Sequence, residues 1–379
     1  MPAMEPRKGT DLLVVGGGIG GAATALRAAQ YGIRATWVMG NRKTRRASRS
    51  AYVLNVDNMI GVHPGCVTGA LIDIVRRDHP EAPGVAESLR NISTQDIIDN
   101  ARDRIEADFP GMIDIVDARA ESATRAPSGF TLHLEGGAPE LQAPFMVLAT
   151  GVMDRQPIIH KMREGRDLSG IHWLFPYANH ETILYCIRCE GHLTRGVRTA
   201  VIGSGPAAAE VSLMLRERYD VAVTLLTGGE DATWGGTQGR LLDALSVRIL
   251  TSRLVDIEGA DRGSVLKGFA LEDGTRVEVD RALVAMGLQR VYNDLAIDLG
   301  AALEESGAPP ALRHVLVDGN GETDVSGLFA VGDLARGADG PLMKQIYTAQ
   351  EFAVRAVDAI DRRIRRRRRE RLLDDRRGE

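Results

Sequence analysis

Cys186 and Cys189, separated by Ile187 and Arg188, are the residues of this chain whose type and spacing point most directly to chemistry. Two residues between thiols at a helix start let the sulfurs meet without strain, so the pair can cycle between dithiol and disulfide. The helix N-terminus also favours thiolate over thiol. The other use of such a pair is half of a metal site, which wants about four ligands. The third cysteine, Cys66, stands alone, and the 8 histidines show no H-x3-H spacing, so redox chemistry is favoured and no metal is expected. Glu190 follows directly, where a carboxylic acid can exchange a proton with an attacking or leaving thiol. The plainer role is a helix-start glutamate favoured by the macrodipole, and His192 competes for the proton.

Such a pair needs a scaffold, and two segments read as strand, glycine turn and helix. In the first, a strand at 11–15 leads into Gly16-Gly17-Gly18-Ile19-Gly20-Gly21, an Ala-rich helix to about Gln30 and a second strand at 33–39. In the other, a strand at 198–202 leads into Gly203-Ser204-Gly205-Pro206-Ala207-Ala208, a helix to about Arg218 and a strand at 221–226. Each is a βαβ dinucleotide-binding opening, with glycines at the bend and unpaired helix N–H groups aimed at a pyrophosphate. One such motif is weak evidence; two, in separate domains, make a two-dinucleotide α/β architecture the expectation. A buried strand at 145–151 ends in Ala149-Thr150-Gly151, and another at 327–333 closes on Gly332-Asp333. A helix is expected over 341–360. The layout is then residues 1–154 as one nucleotide domain, 155–287 as a second inserted into it, 288–361 returning to the first, and 362–379 as an Arg-rich tail.

Composition agrees with that class. The chain has 379 residues, 44% of them hydrophobic and 26% charged, which suits a soluble protein of two or three domains. Its formal net charge of -4 argues against a chain-wide nucleic-acid surface. No apolar run is long enough to span a bilayer, and the N-terminus has no apolar signal core, so a cytoplasmic protein is expected. Positive charge concentrates at Arg362, Arg363 and the five arginines of 365–369. The plain reading there is a solvated extension, polar helical or frayed; the functional one is docking of an acidic electron-transfer partner.

Taken in order, these pieces resemble the thioredoxin-reductase-like family of FAD-dependent disulfide oxidoreductases. The resemblance rests on 16–21, Val56-Asp57-Asn58, Ala149-Thr150-Gly151, Cys186-Ile187-Arg188-Cys189-Glu190-Gly191, 203–208, and 327–333 followed by Lys344-Gln345. It covers nearly the whole chain, and a C-x-x-C inside the second domain is its specific mark. It implies two Rossmann-like domains, one nested in the other, and a homodimer. It implies that Gly16, Gly18 and Gly21 cradle the FAD pyrophosphate, with Thr150, Gly151 and Gly332 completing the site. Asp333 would bind the ribityl chain, with Asn58 and Gln345 close to the isoalloxazine. Asp333 read alone is a turn aspartate, and Asn58 a loop asparagine. Cys186 would exchange with the substrate while Cys189 faces the flavin.

The pattern breaks at the inserted domain. NADPH-dependent members carry a basic cluster after its second strand, whereas here Thr227-Gly228-Gly229-Glu230-Asp231 offers no cation and two repelling carboxylates. Arg216, Arg218 and Arg240 are the nearest alternatives in sequence. NADPH is therefore not the expected donor. Gly203 and Gly205 suit a second FAD or a vestigial pocket, as in the ferredoxin-linked and diflavin-linked branches. The aromatic-rich stretch 152–185 reads as a packed insert or as a lid over the disulfide, and 62–91 as a further insertion. Three functions compete. One is reduction of a thioredoxin-like protein or small-molecule disulfide, with a donor such as ferredoxin. The second is a dithiol oxidase that forms a small-molecule disulfide with oxygen as acceptor. The third is a redox sensor that keeps FAD structurally, against which the intact cysteine pair weighs. The absence of a histidine at Glu190 tips the balance to the first.

Overall fold

Residues 12–15 read Leu-Leu-Val-Val, apolar on both faces, so the strand they form must be covered on both sides. Leu12–Val15 accordingly lies buried within a five-stranded parallel sheet. The structure is a computed structural model and describes residues 9–56, 58–59 and 92–375. Asp57, Cys66 and the expected 62–91 insertion lie outside the described residues. The chain divides into two compact units, Met1–Met153 with Arg290–Glu379, and Asp154–Gln289. The expected insertion was 155–287.

In the first unit the sheet order is Leu328–Ala330, Phe145–Leu148, Leu12–Val15, Ala35–Val38 and Ile113–Val116, every pair parallel. The carboxyl ends of the first three strands carry the Gly332-Asp333 end, the Ala149-Thr150-Gly151 end and the glycine turn. Three motifs distant in sequence thus share one sheet edge, where an open α/β sheet binds its ligand. Helix Ile19–Gln30 buries Ala22, Ala25, Ala28 and Ala29 and packs against the helices Thr94–Asp108 and Ile346–Asp375. Small side chains allow that close approach.

The second unit has its own parallel sheet, in the order Ile183–Leu184, Arg281–Val284, Thr199–Ile202, Val223–Leu226 and Arg248–Leu250. An antiparallel sheet of Leu254–Ala260, Val265–Leu271 and Arg276–Glu278 joins it. The aromatic-rich stretch belongs to this core. Ile159 and Leu174 are fully buried in it, with Trp173 and Tyr177 packed alongside. Trp173 Nε1 donates to the Leu168 carbonyl at 2.8 Å. That packing supports the plain reading of the stretch at Trp173 and Tyr177.

The C-terminal helix starts later than expected, at Ile346 rather than 341. It runs to Asp375, so of the two forms expected for the arginine tail, helical or frayed, the structure shows the helical one. Its start is delayed because Lys344 is held by two backbone carbonyls, those of Asp333 and Ala335. Its continuation has three causes. Arg363 pairs bidentately with the well-buried Glu322 carboxylate and lies over the Phe329 ring. Arg367 covers the Phe145 ring at 5.2 Å. Arg365–Asp361 and Arg366–Glu370 add i,i+4 pairs along the exposed face. Truncation after Ile360 would therefore remove packing as well as charge. Among the described residues no helix is long and apolar enough to cross a membrane.

Candidate active site

In the inserted unit, Ile183–Leu184 is an edge strand with no signal of its own in the sequence, and it delivers the chain to Cys186. Cys186 is the N-cap of the single turn Ile187–Glu190, and Ile187 is buried in the core beneath, which anchors that turn. Cys186 and Cys189 form a disulfide, with Cα atoms 5.3 Å apart. The Cys189 N–H points at Cys186 Sγ, 3.2 Å away. When the disulfide is reduced, that amide and the helix N-terminus would favour negative charge on Cys186. Both cysteines are partly exposed.

Glu190 folds back over its own loop. Its Oε2 accepts from the backbone N–H groups of Tyr185 and Cys186, both at 3.0 Å, and so fixes the entry to the pair. Tyr185 itself donates to Gln156 Oε1 at 2.7 Å, and burial raises its phenol pKa so that it stays protonated. His192 lies exposed in the following turn.

The other unit holds the flavin candidates. Gly16 has φ +130, and a Cβ there would sit 2.2 Å from the Ala149 carbonyl oxygen, so only glycine brings the two motifs together. The turn is held from the second strand, where Trp37 Nε1 donates to the Gly16 carbonyl at 2.9 Å. Gly18 faces open space, since an added Cβ would meet only Ser50 Oγ at 3.7 Å. The helix that starts there has no side-chain cap and no acidic residue in its first turn. Those are the conditions in which a helix N-terminus accepts a pyrophosphate. Thr150 Oγ1 donates to the Tyr292 carbonyl at 2.5 Å, and Tyr292 N–H to the Gly151 carbonyl at 3.0 Å, so Tyr292 closes the far side.

Asp333 follows Gly332 in a 3-10 turn, and a Cβ on Gly20 would approach the Gly332 nitrogen to 3.8 Å. Arg49 pairs with the Asp333 carboxylate at 2.5 Å. Asn58 Nδ2 donates to Gln345 Oε1 at 2.9 Å, bringing together the two residues expected near the isoalloxazine. Lys344, mostly buried, is pushed down to about 8 by desolvation, with Asp333 opposing the shift. At neutral pH it stays largely protonated and keeps its bonds to the two carbonyls. Sequence reasoning gave no role to Arg49, Trp37, Tyr292 or Lys344. Only the adjacency of Lys344 to Gln345 hinted at one of them.

A family model described as pyridine nucleotide-disulphide oxidoreductase matches residues 10–353. The chain belongs to this family. Among its curated relatives is the alkyl hydroperoxide reductase F protein of Xanthomonas campestris pv. phaseoli, 29% identical over 367 residues, covering 94% of this chain and 57% of the relative. The chain therefore spans somewhat over half of that relative's length. Solved structures share the fold. HlmI matches with a TM-score of 0.70 at 19% identity, covering 99% of this chain and 98% of its own. Thioredoxin reductase from Giardia duodenalis matches at 0.68 and 16% identity, covering 94% and 99%. The expected membership in a disulfide oxidoreductase family is met, and the thioredoxin reductase structure shares the expected two-domain Rossmann fold. The uncapped helix at Gly18 and the open space beside it fit a flavin dinucleotide on this oxidoreductase.

The Asp333 carboxylate is the test of that fit. Asp333→Ala removes a charged hydrogen-bonding group, which is worth about 1.5–3 kcal/mol, or roughly 10- to 100-fold in affinity. The purified variant should lose most of its flavin on gel filtration while wild type retains it. Full flavin occupancy with an unchanged absorbance spectrum would remove Asp333 from the site.

Proposed function

We propose that this chain passes electrons between FAD, the Cys186–Cys189 pair and a protein or small-molecule disulfide, and that NADPH is not its donor. The observation that carries the reading is the Cys189 amide aimed at Cys186 Sγ in a disulfide held at the start of a helical turn. Bound FAD would supply two-electron exchange with the pair, held by Gly16, Gly18, Gly21, Thr150, Gly151, Gly332 and Asp333 with Asn58 and Gln345 beside it. The Cys186 thiolate attacks one sulfur of the substrate disulfide. That S–S bond breaks, and the departing thiolate takes up a proton. The Cys189 thiolate then attacks Cys186, releasing the second substrate thiol and restoring the Cys186–Cys189 disulfide. Two electrons leave the pair and two protons end on the product. Glu190 clamps the Tyr185 and Cys186 amides through this cycle and lies next in sequence to Cys189, within the same turn, to exchange a proton with a leaving thiol.

The donor reading is supported by the loop after Val223–Leu226, whose Glu230 carboxylate lies against the glycine turn rather than leaving it open. Two of the arginines nearest in sequence are engaged elsewhere. Arg216 binds the carbonyls of Leu245 and Val221 near the end of its helix, and Arg240 binds Thr237. An acidic carrier such as ferredoxin would meet the exposed arginines of the C-terminal helix, on a cytoplasmic homodimer. Anaerobic mixing of the holoprotein with NADPH, NADH, reduced ferredoxin or a small dithiol, while following flavin absorbance, tests the reading. Bleaching by ferredoxin or dithiol but not by NADPH is expected. Rapid bleaching by NADPH, with one FAD released per chain on denaturation, would overturn it.

A further inference from the structure

The glycine turn of the inserted unit is covered by its own chain. After the buried Thr227, Gly228 and Gly229 both take positive φ, +68 and +91, and the backbone doubles back toward the turn. Glu230 is carried to Ser204, whose hydroxyl donates to Glu230 Oε2 at 2.7 Å. Thr233 N–H donates to the Ser204 carbonyl at 2.8 Å, and its hydroxyl to the same oxygen at 3.3 Å. Arg155, from the entry segment of this unit, grips both oxygens of Glu230, with NH1 at 3.2 Å from Oε2 and NH2 on Oε1. Arg155 is itself placed by its N–H on the Gly287 carbonyl at 3.0 Å. Two separate stretches thus converge on Ser204, the middle residue of the turn that a dinucleotide pyrophosphate would need: the 230–233 loop directly, and Arg155 through Glu230.

We propose that Glu230 is the specificity-determining residue of this unit, an internal anion that holds Ser204 and Arg155 and so excludes dinucleotides. The inference deepens the donor reading above and rests on it. A phosphate approaching residues 203–205 meets a carboxylate of its own charge where it needs donors. The Arg155 guanidinium is already neutralised by that carboxylate. With Glu230 removed, Ser204 and Arg155 are released together, and both suit a phosphate oxygen. Arg253, whose side chain lies along Gly229, adds a second cation beside the same loop.

Equilibrium binding of NADPH and NADH to the oxidised holoprotein, read by nicotinamide fluorescence, tests this directly. Glu230→Ala should bind at least one of the two dinucleotides tenfold or more tighter than wild type. Glu230→Gln, which keeps the volume and an oxygen for Ser204, should gain in the same direction and guards against a loop collapsed by truncation. Adding Arg155→Met to Glu230→Ala should abolish the gain, because the released guanidinium makes the new contact. Equal, weak binding by wild type and both Glu230 variants would overturn the stopper while leaving the donor reading intact. Tight NADPH binding by wild type would overturn both. A gain that survives Arg155→Met would overturn the part assigned to Arg155.

Discussion

Cys186→Ser and Cys189→Ser should each lower disulfide turnover by a factor on the order of a thousand or more, while the fold and the bound flavin persist. The size follows from the chemistry, since a hydroxyl neither attacks a disulfide nor closes one. The fold should tolerate both changes because serine is nearly isosteric and because Ile187, not the cysteines, anchors the turn in the core. The two variants should differ in kind. Cys189→Ser keeps the attacking sulfur but has nothing to resolve the mixed disulfide, so an adduct on Cys186 should accumulate and appear by intact mass. Cys186→Ser should form none. Full turnover by either variant would refute the assignment, and an adduct seen only with Cys186→Ser would exchange the two roles.

Gly21→Val should abolish soluble, flavin-loaded protein altogether. A Cβ on Gly21 would lie 1.9 Å from the Gly16 carbonyl oxygen and 3.0 Å from Trp37 Nε1. That carbonyl is the one Trp37 holds by hydrogen bond, so the side chain would part the turn from both its helix and the neighbouring strand. No rotamer relieves a clash between backbone and Cβ, and the whole fold is stable by only about 5–15 kcal/mol. Gly18→Ala is the control, because its Cβ meets nothing closer than Ser50 Oγ at 3.7 Å. It should fold and affect flavin affinity alone. Expression of Gly21→Val as a folded holoprotein, judged by flavin absorbance and a cooperative melt, would show that the turn is not held as described.

Both predictions draw on features of different legibility. The strand, glycine turn and helix units were readable because their determinants are local. An apolar β-branched run, glycines at the bend and a helical period lie within about thirty residues. The order of the motifs carried the nested layout for the same reason, and the cysteine spacing announced its chemistry. The pairings that complete the site were decided by tertiary structure alone. Arg49 meets Asp333 across 284 positions of sequence, and Asn58 meets Gln345 across 287. Nothing local marks Arg49 among its neighbouring arginines; the sheet order, which sets the strand ends side by side, selects it. Glu230 was legible as a misplaced charge, but its hold on Ser204 depends on two left-handed glycines turning the chain back. The arginine run illustrates the same division. Five consecutive arginines predict self-repulsion, yet Arg367 within that run is drawn onto the Phe145 ring, and Arg363 just before it onto Phe329 and Glu322, partners that only the folded chain presents. Short-range sterics and periodicity fix the elements, whereas charge pairing over hundreds of residues exists only once those elements have packed.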